Sequence, residues 1–242
     1  MGKALFCAIL ALCAAAAAAG ETGCVYDLKG DVEVMSPGTS AWAKARKGTP
    51  VPEGARLRTG KAAWCELLFG DGSFIKMDEG SETAAKELKN TAGERLFSFD
   101  FLKGKALWMA AKVRRTSRFS VRTPSAVCAV RGTDFSILVS SSGEASVGLF
   151  DGVVDLSSGA ATRELDAGGE ASAGPGGIAV QARMSRFMKA EEHRYERIKA
   201  RVEALRAKLA ERDGFIDEYT DRQQKRLSDM ESRRDEKLKR RK

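Results

Sequence analysis

The sequence predicts a mainly β body followed by a long, charged amphipathic α-helix. Three observations carry that prediction. Short runs of period-two alternation, separated by turn residues, fill most of the chain up to residue 156. A glycine-rich run follows, and beyond it apolar residues recur at 4,3 spacing. The charge is divided along the same line: of a formal net charge of +8, residues 180–242 contribute +7, from 20 Lys and Arg against 13 Asp and Glu. With 43% hydrophobic and 31% charged residues, the chain reads neither as a multi-pass membrane protein nor as a disordered polyelectrolyte.

The first 20 residues read as a secretory signal peptide. Lys3 is followed by an uncharged apolar run over residues 4–19, ending in small residues, with cleavage expected after Ala19 or Gly20. The run is shorter than the roughly 20 residues a spanning helix needs. Leu12 before Cys13 and Glu21 before Cys24 do not suit lipid attachment. Export places Cys24, Cys65 and Cys128 in an oxidising compartment, where an odd number of thiols allows at most one bridge. A Cys65–Cys128 bridge and three buried free thiols both remain open.

Strands fit residues 30–34, 65–69 and 74–77, the last two flanking the turn Gly70-Asp71-Gly72-Ser73 as a hairpin. Further strands fit residues 106–109, 118–122, 134–139, 145–149 and 153–156. Residues 79–91 carry Ala84, Ala85 and Leu88 at a spacing that suits helix and strand equally.

The run Val121-Arg122-Thr123-Pro124-Ser125-Ala126-Val127-Cys128-Ala129-Val130-Arg131-Gly132-Thr133-Asp134-Phe135 resembles the hallmark of the FecR domain family, the periplasmic domain of ferric-citrate-type signalling regulators. Upstream pieces follow the family's order: Gly30-Asp31-Val32-Glu33-Val34, Trp42, Gly48, Pro52-Glu53-Gly54, Leu57-Arg58-Thr59-Gly60, Glu66-Leu67 and Asp71-Gly72-Ser73. Leu149-Phe150-Asp151-Gly152-Val153-Val154 closes the match, which spans about residues 25–156. The resemblance implies a FecR-like antiparallel β-roll, sandwich or solenoid-like module over residues 21–164. The best-known members carry a cytoplasmic anti-sigma segment and a membrane span ahead of this domain. The expectation here is a stand-alone exported member without them, acting as a non-catalytic envelope interaction, scaffold or sensory module.

Within the hallmark, Thr123, Pro124, Val130, Arg131, Gly132, Thr133, Asp134 and Phe135 are expected to be structural. Pro124 suits a strand end, because it has no N–H for a ladder. Gly132 allows a bend or close approach. Arg131, set between apolar residues, is expected to be partly buried and braced by a carboxylate or carbonyls. Asp134 is too near in sequence to be assigned as that partner.

Residues 165–179 read as a Gly-rich turn or linker, since no Gly-Lys-Ser/Thr phosphate-loop signature follows. Residues 180–242 then read as the helix. Met184, Met188, Tyr195, Ile198, Val202, Leu205, Leu209, Ile216 and Tyr219 form one stripe, interrupted by Glu191 and Arg212, with Gly214 as a point of bending or breakage. Tyr195, Ile198, Val202, Leu205, Leu209, Ile216 and Tyr219 are the candidate interface residues. The stripe can pack on the β body, form a coiled coil with a second copy, or bind a different helix. Its length favours self-association or an envelope partner.

The basic end, residues 233–242, suits anionic lipid or cell-wall polymer in an exported protein rather than nucleic acid. Glycan or cell-wall polymer binding by the β face is the alternative function. A catalytic role is not expected: the single histidine, His193, lies in the helix, Cys128 has no histidine base nearby in sequence, and Asp71, Asp78 and Glu79 sit beside hairpin turns. No cofactor or metal is expected.

Overall fold

A computed structural model describes residues 23–90, 95–112, 117–211 and 214–239. The expected signal peptide lies outside these residues. The chain begins with β1 (Gly23–Lys29), β2 (Val32–Met35), β3 (Ala43–Lys44), β4 (Pro50–Val51), β5 (Arg56–Thr59), β6 (Trp64–Leu68), β7 (Phe74–Met77) and β8 (Glu82–Asn90). The 15-residue β9 (Arg95–Met109) follows. Then come β10 (Ser117–Arg122), β11 (Val127–Val130), β12 (Asp134–Val139), β13 (Ala145–Asp151), β14 (Val153–Ser158), β15 (Ala161–Asp166), β16 (Glu170–Gly174) and β17 (Gly177–Gln181). Two helices end the fold, α1 (Arg186–Glu211) and α2 (Phe215–Lys239).

These strands form two sheets that share β9. The first runs β4-β1-β6-β7-β9-β12-β13-β16-β17 and uses the second part of β9, from Gly104 to Met109. The second runs β3-β2-β5-β8-β9-β10-β11-β14-β15 and uses the first part, from Arg95 to Lys103. Among the described residues every pairing is antiparallel except that of β9 with β10. The expected all-antiparallel module is therefore mixed at that pair.

The core lies between the sheets. Alternate residues of each strand point into it: Cys65, Leu67 and Phe69 from the β6 segment, Ile75 and Met77 from β7, Ala106 and Trp108 from β9, Phe135 and Ile137 from β12. Phe99, Phe101, Phe119 and Phe135 surround Trp108, with the Phe99 and Trp108 ring centroids 5.4 Å apart and Trp108 stacked on Phe135.

The opposite face of the first sheet is apolar as well. Cys24, Leu68, Phe74, Leu107 and Met109 point away from the main core and pack with Tyr195, Val202, Phe215 and Ile216 of the helices. The molecule thus has three layers, sheet, sheet and helix pair, in which the first sheet is buried on both faces.

Two expectations need correction, and two open points are decided. Residues 165–179 are not a linker: the end of β15, all of β16 and the start of β17 occupy them, and Ala171 and Ala173 are buried beside β13. Small residues there permit tight approach, a role that composition alone does not separate from flexibility. The helical region is two helices rather than one. Gly214, at φ +82°, precedes α2 and supplies a backbone conformation that a helix interior does not use. Residues 79–91, undecided from sequence, are β8 up to Asn90. Cys24, Cys65 and Cys128 are all free and buried, so no Cys65–Cys128 bridge forms; burial pushes the Cys128 thiol up to about 12.

Replacing Trp108 by Ala should lower stability by about 3–5 kcal/mol, because it empties the centre of the aromatic cluster. Urea unfolding of the variant beside the parent chain measures the loss.

Candidate functional site

The hallmark run forms two turns and the strand between them. At the first, the Thr123 N–H donates to the Ala126 carbonyl at 2.7 Å, and the Ala126 N–H donates to Thr123 Oγ1 at 3.0 Å. Thr123 Oγ1 in turn donates to the Ala126 carbonyl at 3.0 Å, so the hydroxyl closes the turn that Pro124 opens. Pro124 is exposed, Val130 is buried at the end of β11, and Phe135 is fully buried against Trp108.

The second turn carries Arg131, Gly132 and Thr133. Gly132 adopts φ +61°, and a Cβ there would stand 3.0 Å from the backbone of Lys112. Both a bend and a close approach therefore favour glycine at this position. Thr133 is buried, and its carbonyl accepts from the Ala110 N–H at 2.9 Å. Arg131 departs from expectation: it is exposed, and no carboxylate among the described residues pairs with it. It sits in the turn, beyond the end of the apolar strand, so the run of valines around it does not bury it.

Asp134 is the hallmark residue with a long-range polar partner. Its side chain is buried, and its Oδ2 accepts a hydrogen bond at 2.9 Å from the hydroxyl of Tyr195, 61 residues away on α1. The Tyr195 ring stacks on Phe150 at 5.2 Å. Burial raises the Asp134 pKa, partly offset by the Tyr195 hydrogen bond. Burial and the adjacent Asp134 carboxylate push the Tyr195 phenol upward.

Two ion clusters hold α1 to the same sheet face. Arg201 donates from both terminal nitrogens to the Glu66 carboxylate, at 2.8 and 2.7 Å, and Lys76 reaches the same carboxylate at 2.6 Å. Arg194 clasps the Asp78 carboxylate in bidentate fashion, and Lys105 bridges Asp78 and Glu191 at 3.0 and 2.5 Å. Glu191, the break in the apolar stripe, is thus a buried ion-pair residue. Burial raises the Glu66 and Asp78 carboxylates, but their cationic partners outweigh it and both end below their ordinary values. Further along α1, Arg206 donates to the carbonyls of Gly72 and Met109 at 3.0 and 2.9 Å. On α2, the Tyr219 hydroxyl donates to the Tyr26 carbonyl at 2.6 Å while the two rings stack.

The helix candidates therefore gather on the β body. Tyr195, Val202, Leu205 and Ile216 are buried, and Ile198, Leu209 and Tyr219 are partly buried in the same cluster. The seam expected to serve self-association is covered within the chain. The acidic residues near the hairpin turns are also engaged: Asp71 accepts from the Ser73 N–H and hydroxyl, Asp78 holds Arg194, and Glu79 accepts from the Ala62 N–H. Sequence reasoning did not find Glu66, Lys105, Arg194, Arg201 or Arg206. The break at Glu191 in the stripe was the one readable sign of a polar contact there.

No curated protein matches the chain. Residues 55–155 match the family model described as FecR protein. Two crystal structures of a protein described as a "putative anti-sigma factor" from Parabacteroides distasonis are similar in fold, at 17% identity and TM-scores of 0.45 and 0.46. Each alignment covers 53% of this chain and 59% of that one.

Two outcomes follow from the dock. Tyr195→Phe should cost about 1–3 kcal/mol at neutral pH, since the buried Asp134 carboxylate loses its donor. The cost should shrink in acid, where Asp134 is protonated; urea midpoints at both pH values test this. Glu66 and Asp78 act in the opposite sense. With folded values lowered, their stabilisation is present above the ordinary values of 4.5 and 3.8 and is lost as pH falls through the folded ones. Acid should therefore weaken the fold over that window, and Arg194→Gln with Arg201→Gln should flatten the pH dependence of the urea midpoint.

Proposed function

We propose, from the match of residues 55–155 to the FecR protein family model, that the chain is a non-catalytic interaction module of the cell envelope. FecR-domain proteins are envelope-associated, and the leader read over residues 1–20 supports export. No described helix is long and apolar enough to cross a membrane.

The observation that carries the reading is the distal half of α2. Up to Ile216 and Tyr219 the helix lies on β1, but residues 228–238 are exposed throughout. Met230 and Leu238 are 68% and 53% exposed. With the half-buried Leu227, they lie within roughly 80° of arc on an α-helix of 3.6 residues per turn, a strip that no described residue covers. On the same geometry Arg234 falls inside that arc, with Lys237 and Arg233 along one margin and Glu231 along the other, which suits a partner surface of mixed charge. The β body then acts as a mount: it covers the inner part of the helical stripe, and Arg46 pairs with Glu231 beside the exposed outer part. Hallmark residues Thr123, Pro124, Val130, Gly132, Thr133, Asp134 and Phe135 serve that mount as structure.

A photoreactive amino acid in place of Met230 should give a discrete cross-linked product in the envelope fraction. The same group at Val153, which is 45% exposed on the β body, should give none. Equal products from both positions, or none from Met230, would overturn the reading.

A further inference from the structure

Among the described residues the two sheets end in four edge strands, and three of them are blunted. β3 and β4 are two residues long, with Lys44 on the first and Pro50 opening the second. β15 exposes Arg163, Glu164 and Asp166. Short strands, prolines and charges are the usual devices against edge-to-edge pairing. The fourth edge, β17, has none of them. Its five residues, Gly177-Ile178-Ala179-Val180-Gln181, carry no charge and no proline, and its ladder to β16 runs without a bulge.

Among the described residues β17 pairs with β16 alone. In such a ladder alternate residues turn their N–H and C=O away from the partner strand, so one side of β17 presents unpaired backbone groups. Four of its five residues are exposed. Ile178 packs against the main core, and Val180, two residues on and 43% exposed, faces the same way from the open margin. The edge is thus a hydrogen-bonding ladder with an apolar margin beneath it. What fits it is another extended strand.

The strand is complementary to itself. A twofold axis through Ala179 sets two copies of β17 antiparallel, with Ile178 of each opposite Val180 of the other on the core side. Each half-covered valine then gains an apolar neighbour. Charge at the two ends obeys the same symmetry: Glu144 lies beside Gly174 at the hairpin end, and Arg183 follows the other end. Both are exposed, and neither forms an ion pair among the described residues. The twofold brings the acidic end of one copy to the basic end of the other. We propose that β17 is the contact between two copies of this chain, joining their first sheets into one continuous sheet. β17 and β1 lie towards opposite sides of that sheet, so the contact leaves α2 over β1 free and stands or falls independently of the cross-linking result at Met230.

Sedimentation of the purified protein from micromolar to submillimolar concentration tests this. A concentration-dependent monomer–dimer equilibrium is expected. Val180→Lys sets a charge on the pairing margin and should weaken dimerisation at least tenfold, whereas Val153→Lys, at a position of similar exposure on β14, should change it less than twofold. An unchanged thermal midpoint checks the fold of each variant. Position 179 gives a second readout, because side chains directly opposite in a ladder have Cβ atoms about 4.5–5.5 Å apart. Under air oxidation Ala179→Cys should give a covalent dimer that a reductant reverses, and Val153→Cys should give none; the three native thiols are buried and do not compete. A monomer at every concentration would leave β17 to a strand of another protein and overturn the proposal. So would a dimer that Val180→Lys does not weaken or that Ala179→Cys does not lock.

Discussion

A sheet with two apolar faces cannot stand at a protein surface. The first sheet faces the second through Leu67, Ile75, Trp108 and Phe135, and its other face presents Leu68, Phe74, Leu107 and Met109. Each such side chain favours burial by about 1.5–3 kcal/mol, so the outer face needs a cover as much as the inner one does. The cover comes from the far end of the same chain. Tyr195, Val202 and Ile216 repeat at helical spacing along a surface that runs across β1, β6, β7 and β9, and Met188 lies against Gly148 of β13.

Apolar contact alone would let a helix slide along such a face, since burial has no direction. Polar groups fix the register. Arg194 and Arg201 are two turns apart on α1 and meet Asp78 and Glu66, while Tyr195 meets Asp134. A shift of one helical turn would leave the buried Asp134 carboxylate without its donor and would strip Asp78 and Glu66 of their arginines, leaving each with one lysine. The hallmark thus contributes through Asp134 to the placement of a helix outside the residues that define the family match.

How much of this was readable depended on whether local sequence or distant contact set each feature. The β6–β7 hairpin was legible because Gly70 to Ser73 are turn residues between alternating runs. The mainly β body, the FecR resemblance and the helical stripe with its weak point at Gly214 were legible for the same local reasons. The destination of the stripe was not: over residues 106–109 of β9 both faces are apolar, so alternation vanishes there and nothing marks which residues face outward. The β16–β17 hairpin was missed because Ala, Ser and Gly have little strand preference. Its ladder to β13 holds it in place. Arg131 was misplaced because neighbouring letters suggested burial, whereas the turn geometry turns it outward. Ion pairs such as Glu66 with Arg201 join residues 135 positions apart and have no local signature.

The bond from Tyr219 to the carbonyl of Tyr26 ties nearly the last folded element to the first, across 193 residues. A chain emerging from the ribosome therefore cannot finish its native state while synthesis continues, because the lid for its opening strands has not yet been made. Long-range closure of this kind slows folding.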